Sequence, residues 1–323
     1  MGRYLAGRVA SAVFLLFAVT FFVFVAFSLV PSRTGFRGPF ATQDLYQLHG
    51  SMSHQYAGYV WDIVRHGDLG RSYADRESVT SVVLRAAPVT LALVLGGVLV
   101  SLLIAVPLGL LAALHPRSVL DRAVTVLVLI GVCSHPVWLG LMSGFLFGEH
   151  WHVFPSSGYC DLFSPATTCG GLAQWSYHLV LPWLVFGFLN AAFCLLMIRG
   201  IVIEELDKDY VRTARAKGAG ESRIVRVHVL KNAMLPVTTI VGVNLGIALG
   251  AVIFIESAFG LPGLGGLFRR SIIRHDIPMT AGIVLFMSVA IVAINLVVDL
   301  VYLMLDPRIR YTGERLQPAK APA

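Results

Sequence analysis

The sequence predicts an all-α membrane protein with six transmembrane helices. The chain has 323 residues, of which 56% are hydrophobic and only 13% are charged, whereas soluble domains carry about 25% charged residues. No segment alternates polar and apolar residues as a membrane strand does, so helices must satisfy the backbone hydrogen bonds in lipid. Pro107, Pro136 and Pro182 lie inside predicted spans, where kinks are expected. Apolar segments of at least about 18 residues, enough to span a bilayer, lie near 9–30, 88–114, 120–147, 177–203, 233–258 and 280–305.

The first predicted helix begins with Arg3 and Arg8 and continues through an apolar run longer than the core of a secretory signal peptide. No small-residue cleavage site follows it, so we expect helix 1 to be retained. Cations are concentrated in the segments that a cytoplasmic N-terminus would place inside, which predicts cytoplasmic termini. The net charge of +7 then requires no nucleic acid partner. The predicted organisation is helix 1 at 1–30, an extracytoplasmic segment at 31–87, a core of helices 2 to 6 at 88–306, and a disordered cytoplasmic tail at 307–323.

The loop at 204–231 is the most informative polar segment of the chain. Between Thr213 and Lys217, alanines alternate with cationic residues, which is typical of a short exposed helix. Gly218 is expected to end that helix, because glycine adopts the left-handed conformation that closes a C-terminus. A second short helix is predicted at about 222–233. Such a loop would present a small helix to a cytosolic partner, and the residues expected to take part are Tyr210, Arg212, Thr213, Ala214, Arg215, Ala216, Lys217 and Gly218.

Motifs that carry enzymatic chemistry are missing from the sequence. There is no Gly-x-x-x-x-Gly-Lys-Ser/Thr phosphate loop, no His-Glu-x-x-His pair and no Cys-x-x-Cys pair. The chain is therefore expected not to be an enzyme, to bind no metal, and to take its energy from a partner or an ion gradient. A gradient-driven carrier would normally hold ionisable residues at mid-membrane. The spans carry few of them, since Arg199, Glu256 and Asp299 lie toward helix ends, and this disfavours a gradient-driven carrier.

Polar and small residues inside the spans mark two further candidate sites. Asn190, Asn244 and Glu256 are candidates for the translocation path, although such residues also bond between helices or anchor a helix end. Three glycines at every fourth position of helix 5 form a smooth face for close helix packing: Gly242, Gly246 and Gly250. That face could pack inside this chain or against a second subunit, and the sequence leaves both alternatives open.

The four cysteines divide into two pairs. Cys133 and Cys194 lie within predicted spans, where buried and inert side chains are expected. Cys160 and Cys169 share the loop before helix 4, and an oxidising compartment would permit a disulfide that restrains this loop modestly. A bonded pair and two free thiols both remain open, with the disulfide favoured.

Several motifs together resemble one family. The 204–231 loop resembles the signature loop of ABC importer permeases, which reads Glu-Ala-Ala, three residues, then glycine; here Thr213-Ala214-Arg215 replaces the first triplet. The segment 210–218 is more similar to the variant found in dipeptide and oligopeptide permeases. Further elements that resemble this subfamily, in the same order, are Gly67–Ser72, Pro88–Leu91, Pro107–Gly109, Phe259–Gly265 and Asp306–Arg310. The resemblance implies the fold of a type I ABC importer permease.

The resemblance also implies a function, in which the chain forms half of a translocation path for di- or oligopeptides in the plasma or inner membrane. Expected partners are a second, homologous permease subunit, two ATPase subunits or one fused ATPase, and an extracytoplasmic substrate-binding protein. The ATPases would bind ATP and Mg²⁺, with no cofactor on this chain. The 204–231 loop would dock on the ATPases. Alternatives are a gradient-driven secondary transporter, a receptor-like scaffold, or an ABC permease for a nickel chelate, glutathione or haem.

Overall fold

The computed structural model describes residues 2–28, 52–162 and 169–305, and these ranges are mainly helical and contain no β-strand. The predicted tail at 307–323, the motif at 306–310 and residues 31–51 of the predicted extracytoplasmic segment lie outside the described residues. The helices, in chain order, are α1 (Gly2–Ser28), α2 (Met52–His66), α3 (Val79–Leu114), α4 (Val119–Cys133), α5 (Pro136–Ser143), α6 (Leu172–Leu206), α7 (Asp209–Ala216), α8 (Leu230–Phe259), α9 (Leu264–Ile273) and α10 (Ile277–Leu305). A π-helical turn at Gly144–His150 extends α5.

Within the described residues, three helical stretches are long and apolar enough to cross a membrane: α3, α6 and Ile277–Val298 of α10. Two pairs of helices meet the same criterion when each pair is taken as one bent span. The bend between α4 and α5 with its extension is 106°, and the bend between Asn244–Phe259 of α8 and α9 is 76°. Ala10–Val25 of α1 is apolar but shorter than 18 residues. The predicted apolar segments are therefore mainly helical where they are described, with a break at Ser134 and His135, and three to five of them are candidate spans.

Proline has different consequences at the three positions where kinks are predicted. Pro107 and Pro182 lie inside α3 and α6, and both helices continue through them. At Pro136 the third predicted span is divided, because this proline occupies the first turn of a new helix. His135 is extended, and its Nδ1 accepts a hydrogen bond from the Val137 N–H (3.3 Å), which caps α5. The kink or local unwinding expected at Pro136 is therefore a break between two helices, whereas the helices continue through Pro107 and Pro182.

The outer face of α3 carries an exposed leucine stripe. Leu91, Leu95, Leu99 and Leu103 recur every fourth residue, and each is more than half exposed. Burying a leucine side chain contributes about 2 kcal/mol, so a stripe of this size would be strongly unfavourable in water. A lipid bilayer is the environment that fits such a surface, and the chain is membrane-embedded.

Two apolar clusters fill the bundle, one toward each end of the long helices. The first combines the early parts of α3 and α6 with the late part of α8, α9 and the early part of α10, and it includes Leu93, Phe186 and Ile255. The second combines the late parts of α3 and α6 with α4, α7 and the early part of α8, and it includes Ile198 and Val211. We call these regions the α9 end and the α7 end of the bundle. Because α3, α6 and α8 take part in both clusters, they form the frame that connects the two ends.

The loop before α3 belongs to the α9 end. α3 begins at Val79, upstream of the predicted second span. Asp276, buried just before α10, accepts hydrogen bonds from the Ser72 hydroxyl and from the Tyr73 N–H (3.2 Å). The last part of the predicted extracytoplasmic segment is thereby attached to the bundle.

Candidate functional site

The short helix predicted in the 204–231 loop is present as α7. Its buried side consists of Val211, which has no exposed surface, and Ala214, and both belong to the apolar cluster at the α7 end. Its other side points away from the bundle. We call the exposed residues there the α7 surface: Arg212, Thr213, Arg215, Ala216, Lys217 and Gly218.

Gly218 closes α7 as the sequence predicts. Its φ is +80°, in the left-handed region that other residues rarely adopt. The Gly218 N–H donates to the Arg215 carbonyl (2.9 Å), and the Ala219 N–H donates to the Ala214 carbonyl (3.1 Å). These two bonds are the pair that defines a Schellman motif, which satisfies the last carbonyls of a helix. The orientation of the α7 surface therefore depends on a backbone conformation that favours glycine.

Glu205, at the end of α6, fixes the start of α7. Its carboxylate accepts hydrogen bonds from the Lys208 ammonium and the Tyr210 hydroxyl, and the residue is nearly buried. Burial and the neighbouring Glu205 carboxylate both raise the pKa of the Tyr210 phenol, so it remains a donor. Tyr210, predicted to take part in coupling, thus lies half-buried at the joint between α6 and α7 and is not part of the exposed surface.

Arg215 is paired within the loop. Its Nε and Nη2 donate to the two oxygens of Glu221 (2.6 and 3.3 Å), and this two-bond pair spans the turn after α7. The Arg215 guanidinium lowers the pKa of the Glu221 carboxyl, so the pair is ionised throughout the neutral range. The cations that project from the α7 surface without such a two-bond pair are Arg212, whose contact with Asp209 is 3.8 Å long, and Lys217.

The second short helix predicted at about 222–233 is not a separate element. A helical turn at Glu221–Arg223 passes into a π-helical turn at Ile224–Val229 and then directly into α8. No glycine or proline interrupts residues 221–233, so nothing ends the helix before the predicted span. α7 therefore connects through a short turn to a rod that continues to the α9 end.

Two of the predicted path residues meet in the middle of the bundle. The Asn244 Nδ2 on α8 donates to the Asn190 Oδ1 on α6 (2.9 Å) and lies 3.3 Å from the Cys194 sulfur. Beside them is a cavity of about 10 Å³ that Ser101 also lines, which is room for at most one water molecule. The arrangement is an interhelical amide contact, and contact of these asparagines with cargo stays a prediction.

Glu256, the third predicted path residue, lies in a closed polar cluster at the α9 end. It has no exposed surface, and its carboxylate accepts from the Thr90 hydroxyl (2.6 Å) and from the N–H groups of Gly265 (2.6 Å) and Gly266 (3.2 Å). The Thr90 oxygen in turn accepts from the Leu264 N–H (2.9 Å). Three helices are thus joined: α3 through Thr90, α8 through Glu256 and α9 through its first N–H groups. Two of the motifs noted in the sequence, at 88–91 and 259–265, meet here.

The glycine face of α8 packs largely inside the chain. A Cβ atom on Gly242 would lie 2.0 Å from Val298 of α10, and one on Gly246 would lie 3.5 Å from Asn295. Gly250 is exposed, and no atom lies within 4 Å of the corresponding position. Packing within one subunit accounts for the first two glycines, and only Gly250 is open to a second subunit.

Arg199 has a partner that the sequence did not predict. Its guanidinium bonds to both oxygens of Asp121 on α4 (2.7 and 3.0 Å), and Asp121 is buried. Asp121 also accepts from the Arg117 N–H (2.9 Å). The pair connects α4 to α6 at the α7 end. In the sequence, the feature that could have indicated this contact is an acidic residue in the first turn of α4, after the helix-capping Ser118.

The favoured disulfide is present in the structure, between Cys160 and Cys169, with their Cα atoms 5.2 Å apart. Cys194 is buried as predicted. Cys133 is exposed, which corrects the expectation of a buried side chain. The physical reason is that Cys133 ends α4 on the outward side of the bundle, next to the exposed Val132.

Comparison with known proteins assigns most of the bundle to one family. Residues 105–311 match the family described as binding-protein-dependent transport system inner membrane component. The dipeptide transport system permease protein DppB of Escherichia coli (strain K12) is 35% identical over 281 residues, which cover 82% of this chain and 83% of that protein. A protein of Brucella suis biovar 1 (strain 1330), whose name also refers to a peptide permease, is 32% identical over 324 residues, covering 97% of this chain and 100% of that protein.

Proposed function

The chain belongs to the family of binding-protein-dependent transport system inner membrane components, and on that premise we propose that it is one permease subunit of an ATP-driven importer of short peptides. The α7 surface is the observation that carries the proposal. It is a small cationic helix that packs against one end of a membrane bundle. The sequence of the same chain contains no phosphate-binding loop. Such a surface suits an ATPase that supplies the energy from outside this chain.

The connection of α7 to the bundle supports a mechanical role. α7 is attached to α6 through Glu205 and to α8 through the π-helical turn. α8 has 30 residues and is therefore about 45 Å long at 1.5 Å per residue. Its far end carries Glu256, which is bonded to Thr90 and to the start of α9. A displacement of α7 by an ATPase would thus be transmitted along one rod to the opposite end of the bundle, where cargo would enter.

The assembly follows from this role. Two ATPase subunits, or one fused ATPase, bind ATP and Mg²⁺ and close on nucleotide binding, and each permease docks through one such helix. A second, homologous permease completes the path, and an extracytoplasmic binding protein delivers the cargo at the α9 end. The chain then lies in the plasma or inner membrane with six transmembrane helices and both termini in the cytoplasm. In this arrangement the cations of the 204–231 loop face the cytoplasm, as the positive-inside rule requires.

We propose peptides as the cargo, because the Escherichia coli relative is named as a dipeptide permease. Nothing in the described residues favours a nickel chelate, glutathione or haem over a peptide. A gradient-driven mechanism is also less consistent with the spans, since Glu256, Asp121 and Arg199 are each engaged in hydrogen bonds between helices. Asn190 and Asn244 remain the proposed contacts for cargo.

Site-specific photo-crosslinking tests the proposed docking. A photoreactive amino acid replaces Arg212 on the α7 surface or, as a matched control, the exposed Arg269 on α9 at the opposite end of the bundle. Irradiation of the assembled transporter is expected to give an adduct with the ATPase from position 212 and none from position 269. Absence of an ATPase adduct at 212, or equal yields at the two positions, would refute docking through α7.

A further inference from the structure

The break between α4 and α5 lies near the middle of the bundle. Gly131, one turn before the break, packs on α6, because a Cβ atom on it would lie 2.6 Å from the Ala192 Cβ. Ala192 is two residues from Asn190, which accepts the hydrogen bond of Asn244. The break is therefore about one helical turn, or about 5 Å, from the depth of these asparagines. It lies inside the hydrocarbon core of a bilayer, which is about 30 Å thick.

Polar groups at the break have no partner in a helix. Pro136 has no N–H, so the carbonyl of the exposed Val132 lacks the donor that the fourth following residue normally supplies. The imidazole of His135 is exposed as well. At membrane depth, backbone outside a helix is tolerated only where protein buries it or where it lines a water-filled cavity. This side of the break therefore does not face lipid.

The cap of α5 determines which nitrogen of His135 carries the proton. The Val137 N–H donates to Nδ1 (3.3 Å), so the neutral imidazole has its proton on Nε2. Within the described residues, no acceptor is bonded to Nε2. The ring lies edge-on to the Phe254 ring of α8, with the two centroids 5.4 Å apart. His135 therefore presents one N–H donor beside an aromatic ring.

α8 continues the surface that begins at the break. Phe254 is 44% exposed, and Gly250, one turn earlier, is exposed and open to a second subunit. The break and this part of α8 thus lie on the side where a second permease would complete the path. A path for peptides needs polar groups at this depth, and the exposed stripe on α3 offers only leucine.

We propose that the break lines the water-filled translocation path and that the His135 Nε2–H donates a hydrogen bond to an oxygen of the passing peptide. This inference rests on the function proposed above. Backbone carbonyls and the terminal carboxylate occur in every peptide, and both accept from an N–H group. One donor can therefore bind peptides of different sequence. Water in the path satisfies the Val132 carbonyl, and the Phe254 ring provides an apolar surface beside the donor.

Thiol accessibility tests whether water reaches the break. The complete transporter is reconstituted in vesicles, with Cys133→Ser as the parent because Cys133 is exposed. His135→Cys or Leu99→Cys is then treated, during turnover, with a charged and membrane-impermeant thiol reagent on both sides. Leu99 belongs to the exposed leucine stripe. It is a control at similar depth, because its neighbour Val100 packs against Gly187 of α6.

The reagent is expected to modify His135→Cys and to leave Leu99→Cys unmodified. An unmodified His135→Cys, or equal modification of the two positions, would overturn the proposal. ATP-driven uptake by the parent, which retains His135, tests the proposed function separately. Uptake by the parent together with an unreactive thiol at position 135 would refute this inference alone, whereas absence of uptake would reject the proposed function and this inference with it.

His135→Asn and His135→Asp separate the donor from the cap. Both side chains accept from a backbone N–H and cap a helix, but only asparagine also has an N–H to donate, since an ionised aspartate only accepts. Uptake of a subsaturating dipeptide, expressed per inserted transporter, is expected to be at least about tenfold slower with aspartate than with asparagine. Equal uptake by the two variants would overturn the hydrogen bond from position 135 to the cargo.

Discussion

Gly218→Val is the substitution that tests whether the geometry of α7, and not only its charge, matters for coupling. Gly218 has φ +80° and no atom within 4 Å of a Cβ at that position. Gly220 also has no atom within 4 Å, but its φ is −66°, which any residue adopts. Gly220→Val is therefore a matched control, two positions away, that adds the same side chain without backbone strain.

The magnitude follows from the left-handed conformation. An ordinary residue in this region costs about 1–2 kcal/mol, which corresponds to a factor of roughly 5–30 in population. α7 has only 8 residues and an isolated helix of that length is marginal, so its Schellman closure is a large part of what holds its end. Valine at 218 should therefore reduce the population with a correctly oriented α7 surface by a factor within that range.

The assay is ATP hydrolysis by the reconstituted transporter, stimulated by the loaded binding protein. Gly218→Val is expected to lower the stimulated rate by roughly 5–30-fold, while Gly220→Val stays within about twofold of wild type. The amounts of both variants inserted into the membrane serve as the folding control. Equal rates for the two variants, at equal insertion, would refute the argument that the end of α7 sets coupling.

Three further predictions concern the bundle and its loop. Thr90→Val should lower stability by about 2–4 kcal/mol in thermal unfolding, because the Glu256 carboxylate and a backbone N–H lose a buried partner; Thr90→Ser keeps the hydroxyl, and a loss as large with serine would contradict this. Gly242→Val should lower the free energy of unfolding by about 1–3 kcal/mol through overpacking, whereas Gly250→Val should leave the stability of the isolated chain unchanged in the same measurement. Similar losses of stability in the two variants would show that the packing of Gly242 is misassigned. Glu221→Gln should change stimulated ATP hydrolysis by less than about twofold, because the pair it breaks is exposed; a tenfold loss would assign that pair a larger role.

Local signals made α7 predictable from the sequence. Alanines beside cations indicate an exposed helix, and Gly218 ends it through the left-handed conformation that glycine adopts most readily. The pairing of Cys160 with Cys169 was favoured because both lie in one short loop, where an oxidising compartment would permit a disulfide. Each of these features depends on a few neighbouring residues.

Contacts between distant helices were not predictable in the same way. α3 is apolar on nearly every side, so its sequence does not reveal which face meets α8, and Thr90 could not be paired with Glu256. Asp121 and Arg199 are likewise brought together only by the lateral packing of α4 on α6. Proline alone did not distinguish the break at Pro136 from the continuous helices elsewhere, because the His135 cap also contributes.

Uptake of a labelled dipeptide into proteoliposomes tests the central claim most directly. Vesicles contain this chain together with its partner permease and ATPases, with the binding protein outside and ATP inside, or they contain this chain alone under a proton or sodium gradient. The account predicts uptake that requires internal ATP and every partner, and no uptake by the chain alone. Uptake by the chain alone, driven by either gradient without ATP, would contradict it.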